Sequence, residues 1–267
     1  DIPSYKRNQV DFKSEVGNNV SFIDQWDQAF SGEKFIFDYH LRKDYLKDPG
    51  TFRIARRLYQ DIKELKKMDL KGFMSCQDQR VFFPTGLAMN VMGKTLWNRE
   101  LKFKSIVRDY FKAAYGSDSD KCIQFLQRLS QLFDPEYLRQ EKPQINEKKS
   151  EQFIKISNVI NDFNTVIKNN LKLSNRCQAK SWEYLKHFIV IYSELAKSLY
   201  YRAKGEDEEE KKHWQEFKKR VYNRRGDIHK VFNINNLETI LPDYDYSRNY
   251  KINIPEEWLS NLNKKNK

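Results

Sequence analysis

Two short apolar runs stand in the first third of the chain, Lys34-Phe35-Ile36-Phe37-Asp38-Tyr39 and Gly72-Phe73-Met74-Ser75-Cys76, each bounded by turn-forming or polar residues. Runs of this length without alternation read as buried parallel strands. Between them Asp48-Pro49-Gly50 marks a loop, and Ile54, Leu58, Ile62 and Leu65 recur at helical spacing through Met68. Strand, loop, helix and strand in this order make a βαβ unit, which joins parallel neighbours. Residues 34–39 and 71–76 are therefore expected to be adjacent parallel strands. Two strands cannot close a barrel, so either further strands lie upstream of Asp1 or this part is a small open sheet. Earlier still, residues 1–17 lack a period, and Val20, Ile23, Trp26 and Phe30 suit a short helix ended by Ser31-Gly32.

From Leu87 onward the pattern is helical. Leu87 through Trp97 forms one helix behind a polar loop, 77–86, and Trp97 is expected in the core. Phe103, Ile106, Val107, Tyr110, Phe111 and Ala114 make a stripe stopped by Gly116, after which Asp118 or Ser119 is placed to cap a helix carrying Cys122, Phe125, Leu126 and Leu129. Pro135 and Pro143 mark a connection, and Phe153 to Ile167 define a longer helix. The cleanest period is Trp182, Leu185, Ile189, Tyr192, Ala196 and Leu199. Glu206–Glu210 then supply acids at a helix start and Lys218–Arg225 bases at its end, as the helix dipole favours, with Gly226 as the stop. Helices in series with short connections pack most simply as an up-and-down bundle. Residues 227–267, with Pro242 and Pro255, read as an irregular tail wrapping over it.

Composition narrows the function classes. Hydrophobic residues at 39% and aromatics at 14% supply a core, and 9 Gly with 7 Pro are too few for a turn-rich all-β fold. The balance of 49 Lys and Arg against 37 Asp and Glu gives +12, which raises nucleic acid as a partner. The bases are interleaved with acids and apolar residues, however, as on solvated helix faces, so nucleic acid is disfavoured. Cys76, Cys122 and Cys177 lack metal-ligand spacing and are expected as free thiols, with no metal and no cofactor. No apolar run approaches the roughly 18 residues of a membrane span, so no membrane partner is expected, and localisation stays open.

No phosphate-binding glycine loop, HExxH, GxSxG or EF-hand loop is present. The informative places are the strand ends, because parallel βα folds bind ligands beyond the carboxyl ends of their strands. The first end offers Asp38, Tyr39 and His40; the second offers Gln77, Asp78 and Arg80. Carboxylates, an imidazole and a guanidinium in one cleft suit a hydroxyl-rich or anionic substrate. Against this, His40 could simply cap a strand end, Asp38 could pair with Arg42 or Lys43, and Arg80 could be solvated.

The stretches Phe35-Ile-Phe-Asp-Tyr-His, Asp61-Ile-Lys-Glu-Leu-Lys, Lys71-Gly-Phe-Met-Ser-Cys-Gln, Leu96-Trp-Asn and Asp109-Tyr-Phe-Lys-Ala-Ala-Tyr-Gly116 resemble the late βα units of domain of unknown function 4838. That bacterial family is similar to the α-glucuronidase and hexosaminidase barrels, and the resemblance covers residues 18 to 130. It implies α/β then all-α architecture: the last βα units of a (β/α)8 TIM-like barrel over 1–116, then a helical domain over 117–267. It further implies a glycoside hydrolase acting on a bacterial or plant polysaccharide or oligosaccharide. Such hydrolysis takes two carboxyl groups across the bond. Asp38 and Asp78 are the carboxyls expected at strand ends for catalysis, with Tyr39, His40, Gln77 and Arg80 binding substrate. A middle-strand acid is missing, so this portion is expected to form one wall of a sugar site, with the N-terminal remainder of the same protein as partner, and to lack catalysis alone. The rival readings are a basic helical module binding nucleic acid or a protein, and a purely structural bundle.

Overall fold

The computed structural model describes residues 31–240, apart from Lys43 and Ser174. The helix expected over 20–30 and the tail beyond Ile240 lie outside the described residues. The chain forms strand β1 (Lys34–Asp38), helix α1 (Phe52–Glu64), strand β2 (Leu70–Ser75) and helices α2 (Leu87–Trp97), α3 (Phe103–Tyr115) and α4 (Ser119–Phe133). A short α5 (Pro135–Leu138) leads to the long α6 (Glu147–Asn170), α7 (Arg176–Lys204) and α8 (Asp207–Asn223), and a one-turn α9 (Arg225–Ile228) follows.

β1 and β2 pair in parallel, with Phe35 opposite Gly72 and Asp38 opposite Ser75. Gly72 is required by close approach: a Cβ there would lie 2.8 Å from Cβ of Phe35. The pairing continues past the strands through Cys76 N–H to Asp38 O at 2.7 Å and Asp78 N–H to Leu41 O at 2.9 Å. Strand alternation turns Phe35, Phe37 and Met74 outward, whereas Asp38 is buried.

The parallel pairing is as the apolar runs predict, but the TIM-like barrel is not found. Among the described residues the sheet has two strands, and every later element is helical. The physical reason lies in how the helices satisfy one another. Phe111 of α3 stacks on Phe52 of α1 at 5.7 Å, and Phe125 of α4 stacks on Phe163 of α6 at 3.9 Å. Trp182 of α7 meets Tyr115 edge-on at 5.2 Å while its indole N–H donates to the Tyr115 carbonyl at 3.1 Å. The apolar stripes are thus spent on helix-to-helix packing, and among the described residues no further strand extends the sheet. Buried side chains from Leu41 to Ile240 form one continuous cluster.

Capping explains where the long helices begin and end. The Asn146 side chain accepts from Lys149 N–H at 3.2 Å, and that of Asn175 from Cys177 and Gln178 N–H at 3.0 and 3.2 Å. Gly116 (φ 70°) and Gly205 (φ 75°) end α3 and α7 in a backbone region that favours glycine. Gly226, expected as a stop, instead falls inside α9, because the chain turns already at Arg224. Trp97, expected in the core, is 91% exposed at the end of α2, on a side of the helix away from the buried Val91, Met92 and Thr95. Past α9, Phe232 forms a bridge with Val81 and packs on Phe83 at 4.9 Å, so this segment returns over the loop that leaves β2.

Candidate functional site

The chain turns sharply as it leaves β1, with Arg42 N–H donating to Tyr39 O at 3.1 Å. That turn folds His40 back on the strand. Its backbone N–H donates to Asp38 Oδ2 at 3.2 Å, and its ring Nδ1 contacts Asp38 Oδ1 closely. The other ring nitrogen, Nε2, lies 2.9 Å from Oδ2 of Asp61 on α1. Burial alone would lower the pKa of this imidazole, but the hydrogen bonds and charges of Asp38 and Asp61 outweigh it and raise it to about 9. His40 is therefore an imidazolium at neutral pH, held between two carboxylates. Asp61 Oδ1 is buried and has no hydrogen-bond partner among the described residues.

This triad forms one wall of a cavity of about 320 Å³. Asp44, Asp48, Arg53, Arg57, Glu136 and Arg139 supply its other charged groups, and Ile36, Ile54, Leu65, Met68 and Phe73 its apolar surface. Arg53 pairs with Glu136 at 2.7 Å, and Lys142 with Glu136 at 2.6 Å. The Lys142 hydrogen bond is the main reason that Glu136 is held below the usual carboxylate range. Asp48 behaves oppositely. It is fully buried, which pushes its carboxyl up, although hydrogen bonds from Ser130 Oγ (2.6 Å) and Ile54 N–H (2.9 Å) pull the other way. Those bonds let Asp48 cap α1, whose preceding Thr51 sits at φ 63° without a side-chain cap.

Of the six residues singled out at the strand ends, Asp38 and His40 line this cavity and Tyr39, Gln77, Asp78 and Arg80 do not. The Tyr39 ring meets Phe37 edge-on at 5.0 Å. Gln77 is exposed. Asp78 is buried close enough to Tyr45 for its charge to help raise that phenol, after burial and Tyr192. Arg80 reaches over to the His229 carbonyl at 2.9 Å and takes the Tyr45 hydroxyl on its own carbonyl at 3.3 Å.

Sequence reasoning passed over Asp61, Arg53 and Arg57, which face the cavity from α1. Their spacing of four residues was the available signal, since it places all three on one side of the helix. Glu136 and Arg139 arrive from a connection whose path no local pattern gives. Among the described residues no group of three His, Cys, Asp or Glu is arranged to hold a metal. No helix among them is long and apolar enough to cross a membrane. No family model, curated protein or solved structure matches the chain.

Proposed function

We propose that the chain recognises a sugar residue in the cavity between the end of β1 and α1, as part of a carbohydrate-processing protein. The observation that carries this reading is the buried, unpartnered Oδ1 of Asp61, on a carboxylate whose other oxygen is fixed by His40. A buried acceptor without a donor is costly, on the order of 1–3 kcal/mol, and a ligand hydroxyl placed there would recover that cost. Guanidinium donors and carboxylate acceptors both line the cavity, which matches a ligand whose every hydroxyl both donates and accepts. Ile54, Leu65, Met68 and Phe73 offer apolar surface for the C–H face of the ring.

The role of these residues is recognition. Asp38 and Asp61 share one imidazolium, which fixes both carboxylates in place as acceptors on the cavity wall. The rival reading, a basic module for nucleic acid, gains little from the bases of α8, where Lys211, Lys212 and Lys219 each pair with a glutamate three residues before. Equilibrium titration of the chain with neutral, acidic and amino sugars, alongside Asp61→Asn, tests the proposal; no binding by any of them would defeat it.

A further inference from the structure

A second cavity, of about 470 Å³, opens between the loop leaving β2, the start of α2, and the facing sides of α3 and α7. None of its lining side chains carries a charge at neutral pH, in a chain of which 32% of residues are charged. Aromatic rings dominate it: Phe82, which is 41% exposed, Tyr110 and Tyr184. The Tyr110 hydroxyl accepts from Gly86 N–H at 2.7 Å, and burial pushes its phenol up to about 12, so it stays neutral. The Asn90 amide and the Tyr184 hydroxyl line the same space, and neither makes a hydrogen bond to a described residue.

Gly86 lines the cavity between Phe82 and Tyr110. Its φ of −85° is open to any residue, so backbone conformation does not explain a glycine here. An added Cβ would lie 3.1 Å from Cδ1 of Phe82 and 3.4 Å from the Tyr110 hydroxyl, so it would fill space between the two side chains and press on the Phe82 ring. The glycine keeps the gap between the two rings open.

We propose that this cavity is a second binding site, separate from the ionic one, and that it takes an uncharged pyranose ring. Aromatic faces accept the apolar side of such a ring, while an amide and hydroxyls that both donate and accept meet its hydroxyl groups. A nucleotide or a uronate would bring an anion to a lining whose nearest cation, Lys180 over the Tyr184 ring at 5.0 Å, is already paired with Glu183, and burying it unpaired is expensive. A hydrocarbon chain would bury the Asn90 amide without a partner.

The test is a titration of the whole isotope-labelled chain with methyl glucoside, methyl galactoside, methyl mannoside and their neutral oligomers, followed by amide chemical shifts. The backbone amides of Gly86 and Asn90 are expected to shift. Asn90→Ala and Tyr184→Ala are each expected to weaken binding about tenfold, and Lys148→Ala, exposed on α6, to leave it unchanged, with circular dichroism confirming that all three fold. The inference is overturned if no neutral sugar in the panel shifts these amides. It is equally overturned if Asp61→Asn abolishes the effect while Asn90→Ala does not, which would move the sugar to the ionic cavity. Shifts produced by indole or adenosine and by no sugar would also overturn it.

Discussion

Nε2 of His40 lies 2.9 Å from Oδ2 of Asp61, so one imidazole fastens the end of β1 to the last turns of α1. Asp38 holds the other ring nitrogen from the strand itself. The sheet and its covering helix are thereby joined by a charged bridge that also forms a wall of the cavity.

Removing the ring leaves two carboxylates facing each other in a largely buried place. His40→Ala is expected to destabilise the fold by about 2–3 kcal/mol, the scale of a charged hydrogen bond lost from a buried group. The shift in the urea midpoint measures it. A loss below about 0.5 kcal/mol, the range of ordinary surface changes, would show that the bridge is not structural.

The same bridge gives a pH dependence of definite sign. The folded imidazole titrates near 9, above its ordinary 6.5, so the folded state holds this proton more tightly than the unfolded chain does. The contribution is complete below about pH 6.5 and is lost as pH rises through about 9, a change on the order of 3 kcal/mol. Unfolding curves at intervals from pH 6 to 10 should show the wild type losing more stability than His40→Gln over that window. Parallel losses in the two proteins would refute the assignment.

The strands, α2, α3 and the three long helices were legible because each is written in a local period: apolar runs for β1 and β2, spacings of three and four around Phe111, Phe163 and Trp182. The barrel was not a local property. One βαβ unit reads the same whether its sheet continues or stops, and what decides is the packing of Phe52 on Phe111 and Phe125 on Phe163, which no window of sequence contains. At the site, Asp38 and His40 could be found because they follow a strand. Asp61 stands in the last turn of α1 between Gln60 and the buried Ile62, and its partner His40 lies a whole βα connection away.

Within the bundle, Arg202 of α7 and Glu210 of α8 form a buried pair at 2.6 Å. Glu210→Ala strands a guanidinium in the interior and should cost about 3 kcal/mol or more. The double variant Arg202→Met/Glu210→Leu removes both charges and should cost clearly less. Thermal unfolding of the set measures both, and a double variant worse than the single one would contradict this account.

The three thiols should react in the order of their exposure. Cys177 is exposed, Cys76 half-buried and Cys122 buried, with burial pushing the Cys122 thiol well up. A chromogenic disulfide reagent is expected to label Cys177 at once, Cys76 more slowly and Cys122 only with global unfolding. Early labelling of Cys122, located by peptide mass, would show that the core around α4 opens far more readily than its packing implies.

Most direct for the central claim is the calorimetric titration of the chain and of Asp61→Asn with neutral, acidic and amino sugars at pH 7. The account predicts that at least one sugar binds the wild type, and that Asp61→Asn weakens it at least tenfold, about 1.4 kcal/mol, with its unfolding still cooperative. Equal affinity of the two proteins for every sugar that binds, or no binding of any sugar to the wild type, would contradict the assignment of this cavity to carbohydrate.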